Sequence, residues 1–168
     1  MVFRSKDKKF SVEIVLPIRM EMEAYASVAY RQETGGILIG NYDQGQSLAS
    51  IKQITGPTSD SRGSFSWFER GTRGLKKLLD ENWERGFYYL GEWHFHPFNS
   101  PTPSGQDIQQ MQDIAKSTIY KCPEPILIII GGSEEHFQLR AFVSIGSKKL
   151  IELYAANTDY DDNLVQQS

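Results

Sequence analysis

A chain of 168 residues is long enough to bury one apolar core without disulfide or metal staples. Hydrophobic residues make up 39% and charged residues 23%, with a net charge of −3, so no basic surface for nucleic acid or anionic lipid is expected. The single cysteine, Cys122, excludes an internal disulfide framework and any multi-cysteine metal site; it suits a reducing cytoplasm and reads as a buried free thiol.

The N-terminal MVFRSKDKKF is charged and has no apolar stretch of the kind a secretory leader needs. SVEIVLP (11–17) reads as a strand, and Ile18, Met22, Tyr25 and Ala29 fall at helical spacing over 18–32. ETGGILIGNYD (33–43) and SLASIKQITGP (47–57) read as two strands joined by a tight turn at Gln44-Gly45, and SFSWF (64–68) as a short strand. Leu75, Leu78, Leu79 and Trp83 share one face of an amphipathic helix within 72–86. FYYLGEWHFHP (87–97) is aromatic and β-prone, and 104–117 puts Ile108, Met111, Ile114 and Ala115 on one helical face. EPILIIIGG (124–132) has the continuous apolarity of a buried central strand, with an alternating strand at 134–145 beside it. SKKLIELYAANT fits a strand or a helix equally. The aliphatic run 126–130 is far too short to span a bilayer, so a cytoplasmic protein with no membrane partner is expected.

Strands and helices intermix without a regular βαβ repeat. The expected class is α/β of the mixed α+β kind, a mixed, curved β-sheet flanked by helices. Residues 1–168 read as a single domain with its core over about 11–145 and a frayed polar tail at 158–168.

The chemistry concentrates in GEWHFHPFNSPTPSGQD (91–107), which holds two of the three histidines. Side chains alternate along a strand, so His94 and His96 point the same way, about 6.6 Å apart, while Trp93 and Phe95 face the core. Pro97, Pro101 and Pro103 stiffen the following loop. Ser104 is a natural helix N-cap, and Asp107 falls in the first turn, where the helix dipole favours the charged carboxylate that a metal ligand needs. Two imidazoles and a carboxylate leave a fourth tetrahedral position open for water, the pattern of a catalytic zinc. Residue type and spacing alone leave other readings open: exposed histidines on a strand, and Ser104 and Asp107 as a helix cap and nothing more.

The pattern His94-x-His96-Pro97 followed by Ser104-x-x-Asp107 resembles the signature of the JAMM (MPN+) metalloproteases. ETGGILIG agrees with it, placing Glu33, Gly35, Gly36, Leu38 and Gly40 where that family carries its catalytic glutamate and glycine-rich strand. The resemblance implies an MPN/cytidine-deaminase-like fold and one Zn²⁺ per chain held by His94, His96 and Asp107. It also implies Glu33 as general base and Ser104 as donor to the oxyanion or to the water. Nothing but the resemblance distinguishes Glu33 among 21 acidic residues. Glu92 shares the face of His94 and reads equally as a partner of its imidazole or as an exposed polar residue. His136 reads as a surface residue, and core packing is the expected role of Trp67 and Phe68. The three glycines suit either tight strand packing or close approach of a substrate backbone.

JAMM enzymes cut the amide after the C-terminus of a ubiquitin or ubiquitin-like protein. The bare chain and its EWHFHP strand resemble small bacterial members found beside ubiquitin-ligation-like enzymes, one group of them in CBASS antiphage operons. For those, the implied substrate is a target protein conjugated to the C-terminus of a nucleotidyltransferase (CD-NTase). Deconjugation of a bacterial ubiquitin-like protein, trimming of a sulfur-carrier tail and a non-catalytic MPN binding scaffold are the alternatives. A zinc nucleoside deaminase is disfavoured, because one cysteine cannot supply its Pro-Cys-x-x-Cys ligand pair.

Overall fold

The computed structural model describes residues 1–146 and 149–156, so the tail expected to fray at 158–168 lies outside the described residues. The elements in chain order are β1 (Val2–Arg4), β2 (Ser11–Glu13), α1 (Leu16–Ala29), β3 (Thr34–Tyr42), β4 (Leu48–Ile54), β5 (Arg62–Gly63) and β6 (Phe68–Glu69). They continue with α2 (Leu75–Glu84), β7 (Tyr88–Pro97), α3 (Gly105–Lys116), β8 (Ile126–Ser133), β9 (His136–Ile145) and β10 (Lys149–Ala155).

Eight strands close into a barrel in the order β1-β10-β9-β8-β7-β3-β4-β2. Neighbours are antiparallel except for the parallel pairs β2–β4 and β7–β8, the latter bridged by a crossover that contains α3. The mixed class is as expected, but in place of the expected curved sheet the strands form a closed barrel. Closure comes from β1, whose three residues pair with β2 on one side and with β10 on the other. A three-residue strand inside a charged segment carries no readable alternation, which is why the closing staple was invisible in the sequence.

Each barrel strand gives a buried side chain to one core: Phe3, Val12, Leu38, Ile51, Trp93, Ile128, Val143 and Leu153. α1 adds Ile18, Met22 and Ala26 to it, one helical turn apart. This helix starts earlier than expected, at Leu16, because Pro17 is accommodated in the first turn, where its missing N–H costs nothing. A second core lies on the other face of the sheet, where Ile37, Tyr89, Leu127 and Ile129 meet Leu75 of α2 and Met111 and Ile114 of α3. Trp83 of α2 and Ile108 of α3, both expected on buried faces, are exposed; Asn82 and Asp107 are buried in their helices instead.

The hairpin β3–β4 turns where expected, with the Asp43 carboxylate accepting from the backbone N–H groups of Ser47 and Leu48 at 2.8 and 3.0 Å. Residues 64–67 of SFSWF form the connection between the two-residue strands β5 and β6, and its Phe68 opens β6. SKKLIELYAANT resolves in favour of a strand, β10.

One irregularity shapes the functional face. Leu38 pairs with Gly91 and Ile39 with Tyr89, so Leu90 is the extra residue of a bulge in β7. Gly91 has φ +145°, and a Cβ there would lie 1.9 Å from the Ile126 carbonyl oxygen, so no other residue fits. The bulge shifts the phase of the strand: Leu90 and Trp93 both turn into the barrel core, and Tyr89 and Glu92 both turn outward.

Candidate metal centre

The register of β7 is fixed by burial. Trp93 and Phe95 are enclosed in the barrel core, each such burial being worth about 1.5–3 kcal/mol, and the Trp93 indole N–H donates to the Thr55 carbonyl at 2.8 Å. A one-residue slip would exchange these aromatics for polar groups, so His94 and His96 are held on the outer face. Gly35 on β3 lies directly across from His94. A Cβ at Gly35 would sit 2.2 Å from the Trp93 carbonyl oxygen and 2.9 Å from the His94 ring, so the glycine makes room for the imidazole. Gly36 and Gly40 are equally tight against Thr55 and Ser50 backbone, which assigns these glycines to strand packing.

The loop from Phe98 to Ser104 is anchored rather than free. Phe98 N–H donates to the Gly132 carbonyl at 2.8 Å, Pro101 is buried, and Asn99 and Pro101 pack where a side chain at Gly131 would be. The loop delivers Ser104 to the N-cap of α3. There Ser104 Oγ accepts from Asp107 N–H at 3.1 Å while Asp107 Oδ2 accepts from Ser104 N–H at 2.6 Å. This reciprocal box leaves Asp107 Oδ1 facing His94, while Oδ2 is shared between the cap and the His96 side.

The three expected ligands therefore meet. His94, His96 and Asp107 are all buried, and one ligand atom from each lies within 4.8 Å of the others. His94 Nδ1 is 2.6 Å from Asp107 Oδ1, and His96 Nε2 is 3.5 Å from Asp107 Oδ2. Two imidazoles and a carboxylate form a donor set of the chemistry that holds a divalent metal ion. The electrostatics favour a cation as well. Burial pushes the His94 imidazolium down in pKa, but Asp107 and Glu92 outweigh it and raise the group to about 9. Burial likewise pushes the Asp107 carboxyl up, and the hydrogen bonds from His94, His96 and Ser104 hold it far below the usual carboxylate range. An environment that pulls a proton onto a buried imidazole welcomes a divalent cation in its place.

Glu33 stands half-buried just before β3, with its backbone N–H donating to the Ser64 carbonyl at 2.8 Å. Burial raises its carboxyl pKa, His96 opposes that, Asp107 adds to it and His94 opposes it, so the group lies within electrostatic reach of all three ligands. Ser104 is exposed at the rim. Phe68 is buried with its ring edge-on to His94 at 5.8 Å, and the Phe68 carbonyl accepts from Gln106 Nε2 of α3 at 3.1 Å. Trp67, expected in the core, is instead exposed next to it. His136 is exposed, and Cys122 is buried with its thiol pushed up to about 12, chiefly by burial.

Glu92 is fully buried. Its Oε1 accepts from Arg70 Nε at 2.9 Å and from Tyr89 Oη at 3.1 Å, with Arg70 Nη2 at 2.8 Å; its Oε2 accepts from Gln110 Nε2 at 2.7 Å. Sequence reasoning left Glu92 undecided and missed Arg70, Tyr89 and Gln110 altogether. Arg70 lies on a loop with no spacing relation to the strand, and Tyr89 joins Glu92 only because of the bulge.

Comparison with known proteins places this geometry. Residues 16–144, which contain every residue described above for the metal cluster, match the family described as prokaryotic homologs of the JAB domain. A protein of Enterobacter hormaechei subsp. hoffmannii named "CD-NTase/cGAS isopeptidase" is 41% identical over 86% of this chain and 81% of its own length. A Sinorhizobium fredii protein named "Probable metalloprotease y4qB" is 27% identical over 66% of this chain and 70% of its own. The solution structure of protein DSY2949 from Desulfitobacterium hafniense has a similar fold, with a TM-score of 0.63 and 20% identity over 85% of this chain and 90% of that one. With most of its length matched and its histidine pair and aspartate inside the matched span, the chain belongs to the JAB/MPN family, among its prokaryotic homologs.

Proposed function

We propose that the protein is a zinc-dependent isopeptidase that hydrolyses the amide joining the C-terminus of a CD-NTase to a conjugated protein, reversing that conjugation in antiphage defence. The observation that carries the reading is the convergence of His94, His96 and Asp107, with the Glu33 carboxyl within their electrostatic reach. The name borne by the 41% identical relative supports the choice of substrate.

Bound by these three side chains, Zn²⁺ supplies Lewis acidity, which makes water a nucleophile near neutral pH and favours negative charge on the scissile carbonyl oxygen. Glu33 accepts the proton of the attacking water on its carboxylate and returns it to the departing amine. Ser104 uses its hydroxyl lone pair to cap Asp107 N–H, so its own proton is available to the tetrahedral oxyanion. The β5–β6 hairpin, tied to Glu33 through Ser64 and to α3 through Gln106, keeps base and ligands in register. The substrate presents an extended C-terminal tail to this centre. No helix among the described residues is long and apolar enough to cross a membrane.

The direct test is mass spectrometry of the zinc-loaded protein incubated with a CD-NTase carrying a lysine-linked reporter on its C-terminal residue. Parallel arms carry the reporter on a bacterial ubiquitin-like protein and on a sulfur-carrier protein. One cut at the native C-terminus of the CD-NTase, abolished by a chelator and restored by zinc, is expected. Cleavage that persists in excess chelator overturns the metalloenzyme reading. Cleavage of another arm alone moves the substrate, and binding without cleavage of any arm leaves a scaffold.

A further inference from the structure

Tyr30 and Phe98 are aromatic residues at two positions where backbone and solvent both argue against one. Tyr30 closes α1 with φ 55° and ψ −80°, and Phe98 follows Pro97 with φ 57°, a half of conformational space that favours glycine and strains a bulky residue. Both rings are nonetheless exposed, by 55% and 50%, and neither joins either apolar core. They meet edge to face, with centroids 5.9 Å apart and planes at 83°. The Arg31 guanidinium lies 5.3 Å from the Tyr30 ring centroid. Glycine would make either turn with less strain, so the turns alone do not call for these side chains. Their place along the chain supplies a reason. Phe98 stands two residues beyond His96, a reach of at most about 7 Å, and Tyr30 three residues before Glu33. The ring pair therefore joins the segment that carries the base to a segment that carries a ligand.

We propose that Tyr30 and Phe98 form the wall against which the methylene stem of the target lysine lies, which makes them specificity-determining residues for the leaving-group side of the amide. Side chains are what this wall has to give. Tyr30 N–H already donates to the Ala26 carbonyl at 3.0 Å, and Phe98 N–H to the Gly132 carbonyl at 2.8 Å. An extended tail is held largely through main-chain hydrogen bonds, and these two residues have no N–H left for it. An apolar side chain needs none. In an isopeptide the leaving group is such a side chain, the four-carbon stem of a lysine that ends at the scissile nitrogen. Stem methylenes laid on aromatic rings leave water and hold that nitrogen in place for attack on the neighbouring carbonyl. The rings hold each other, so little further ordering is needed when the stem arrives. Backbone strain at two adjacent turns is the stability cost of presenting them.

This inference rests on the isopeptidase reading, and the test separates the two. The zinc-loaded parent and the variants Tyr30→Gly and Phe98→Gly are compared on two reporters that share one CD-NTase tail. In one the tail is joined to the side chain of a lysine, in the other to the α-amine of a glycine. Each variant is expected to melt within a few degrees of the parent, because relief of strain offsets the lost ring contact. Its kcat/KM on the lysine-linked reporter is expected to fall about 10-fold or more, while that on the glycine-linked reporter stays at the parental value. Equal losses on both reporters, or no loss on either, overturn the inference. A parent that cleaves neither reporter overturns the isopeptidase reading and takes this inference with it. Should the variants not fold, the parent decides: replacing the linking lysine by diaminopropionate, which lacks three of the methylenes, is expected to lower kcat/KM at least about 10-fold. Equal cleavage of the long and the short stem shows that the wall does not read the stem.

Discussion

Glu33→Gln is expected to lower the rate of hydrolysis by at least about 100-fold, the lower end of what a general base contributes, while zinc stoichiometry and fold persist. A hundredfold corresponds to about 2.7 kcal/mol in the barrier. Glutamine fills the same volume and keeps the backbone bond to Ser64, so the loss isolates proton transfer. The sign of the stability change is a second check. The folded environment raises the Glu33 pKa, so folding disfavours its charged form; that cost is present above the folded pKa and disappears as pH falls through the unfolded value. The neutral amide removes it, and the metal-free variant is expected to melt no lower than the parent at pH 7. Single-turnover cleavage, metal analysis and a thermal melt decide among the outcomes. Full activity would refute Glu33 as the base, and loss of zinc would make it structural.

Asp107→Asn is expected to abolish zinc binding and to bring hydrolysis down to the level of the chelated parent. Asn is nearly isosteric, and its one carbonyl oxygen can still accept from Ser104 N–H, where Asp107 Oδ2 does so at 2.6 Å. What it cannot do is cap the helix and also offer the histidine side an anionic oxygen. The helix loses its charge–dipole interaction, about 0.3–1 kcal/mol, and the metal-free protein also loses the buried charge-assisted bond between Asp107 and His94, so the melt in chelator is expected to fall by several degrees. Equilibrium dialysis against zinc, with a melt in chelator, separates the two effects. Retained zinc at parental affinity contradicts the assignment of Asp107 as a ligand; a collapse of the metal-free fold shows that its capping role dominates.

The convergence of His94, His96 and Asp107 was legible because each residue obeys a short-range rule. Alternation along a strand put His94 and His96 on one face, and N-cap chemistry put Asp107 in a first helical turn. What spacing could not supply was the return of the loop between them onto β8, which depends on the room left by Gly131. Glu33 carried no local signal at all and came from the family resemblance alone. The network around Glu92 was hidden for two physical reasons. Simple alternation sets Tyr89 and Glu92 on opposite faces, and only the bulge at Leu90 and Gly91 brings them together. Arg70 arrives from a loop whose path is set by tertiary contacts, among them the Asp60 carboxylate accepting from the N–H groups of Thr72 and Arg73. Barrel closure was hidden for a third reason: the strand that joins the two edges is only three residues long.

The central claim is that one divalent ion is held by His94, His96 and Asp107, with Glu33 beside it. Crystals of the zinc-loaded protein, measured on both sides of the zinc absorption edge, test it most directly. The expected result is a single anomalous peak per chain at bonding distance, about 2.0–2.2 Å, from these three side chains. A peak at any other set of residues, or none in crystals grown with zinc present, contradicts it.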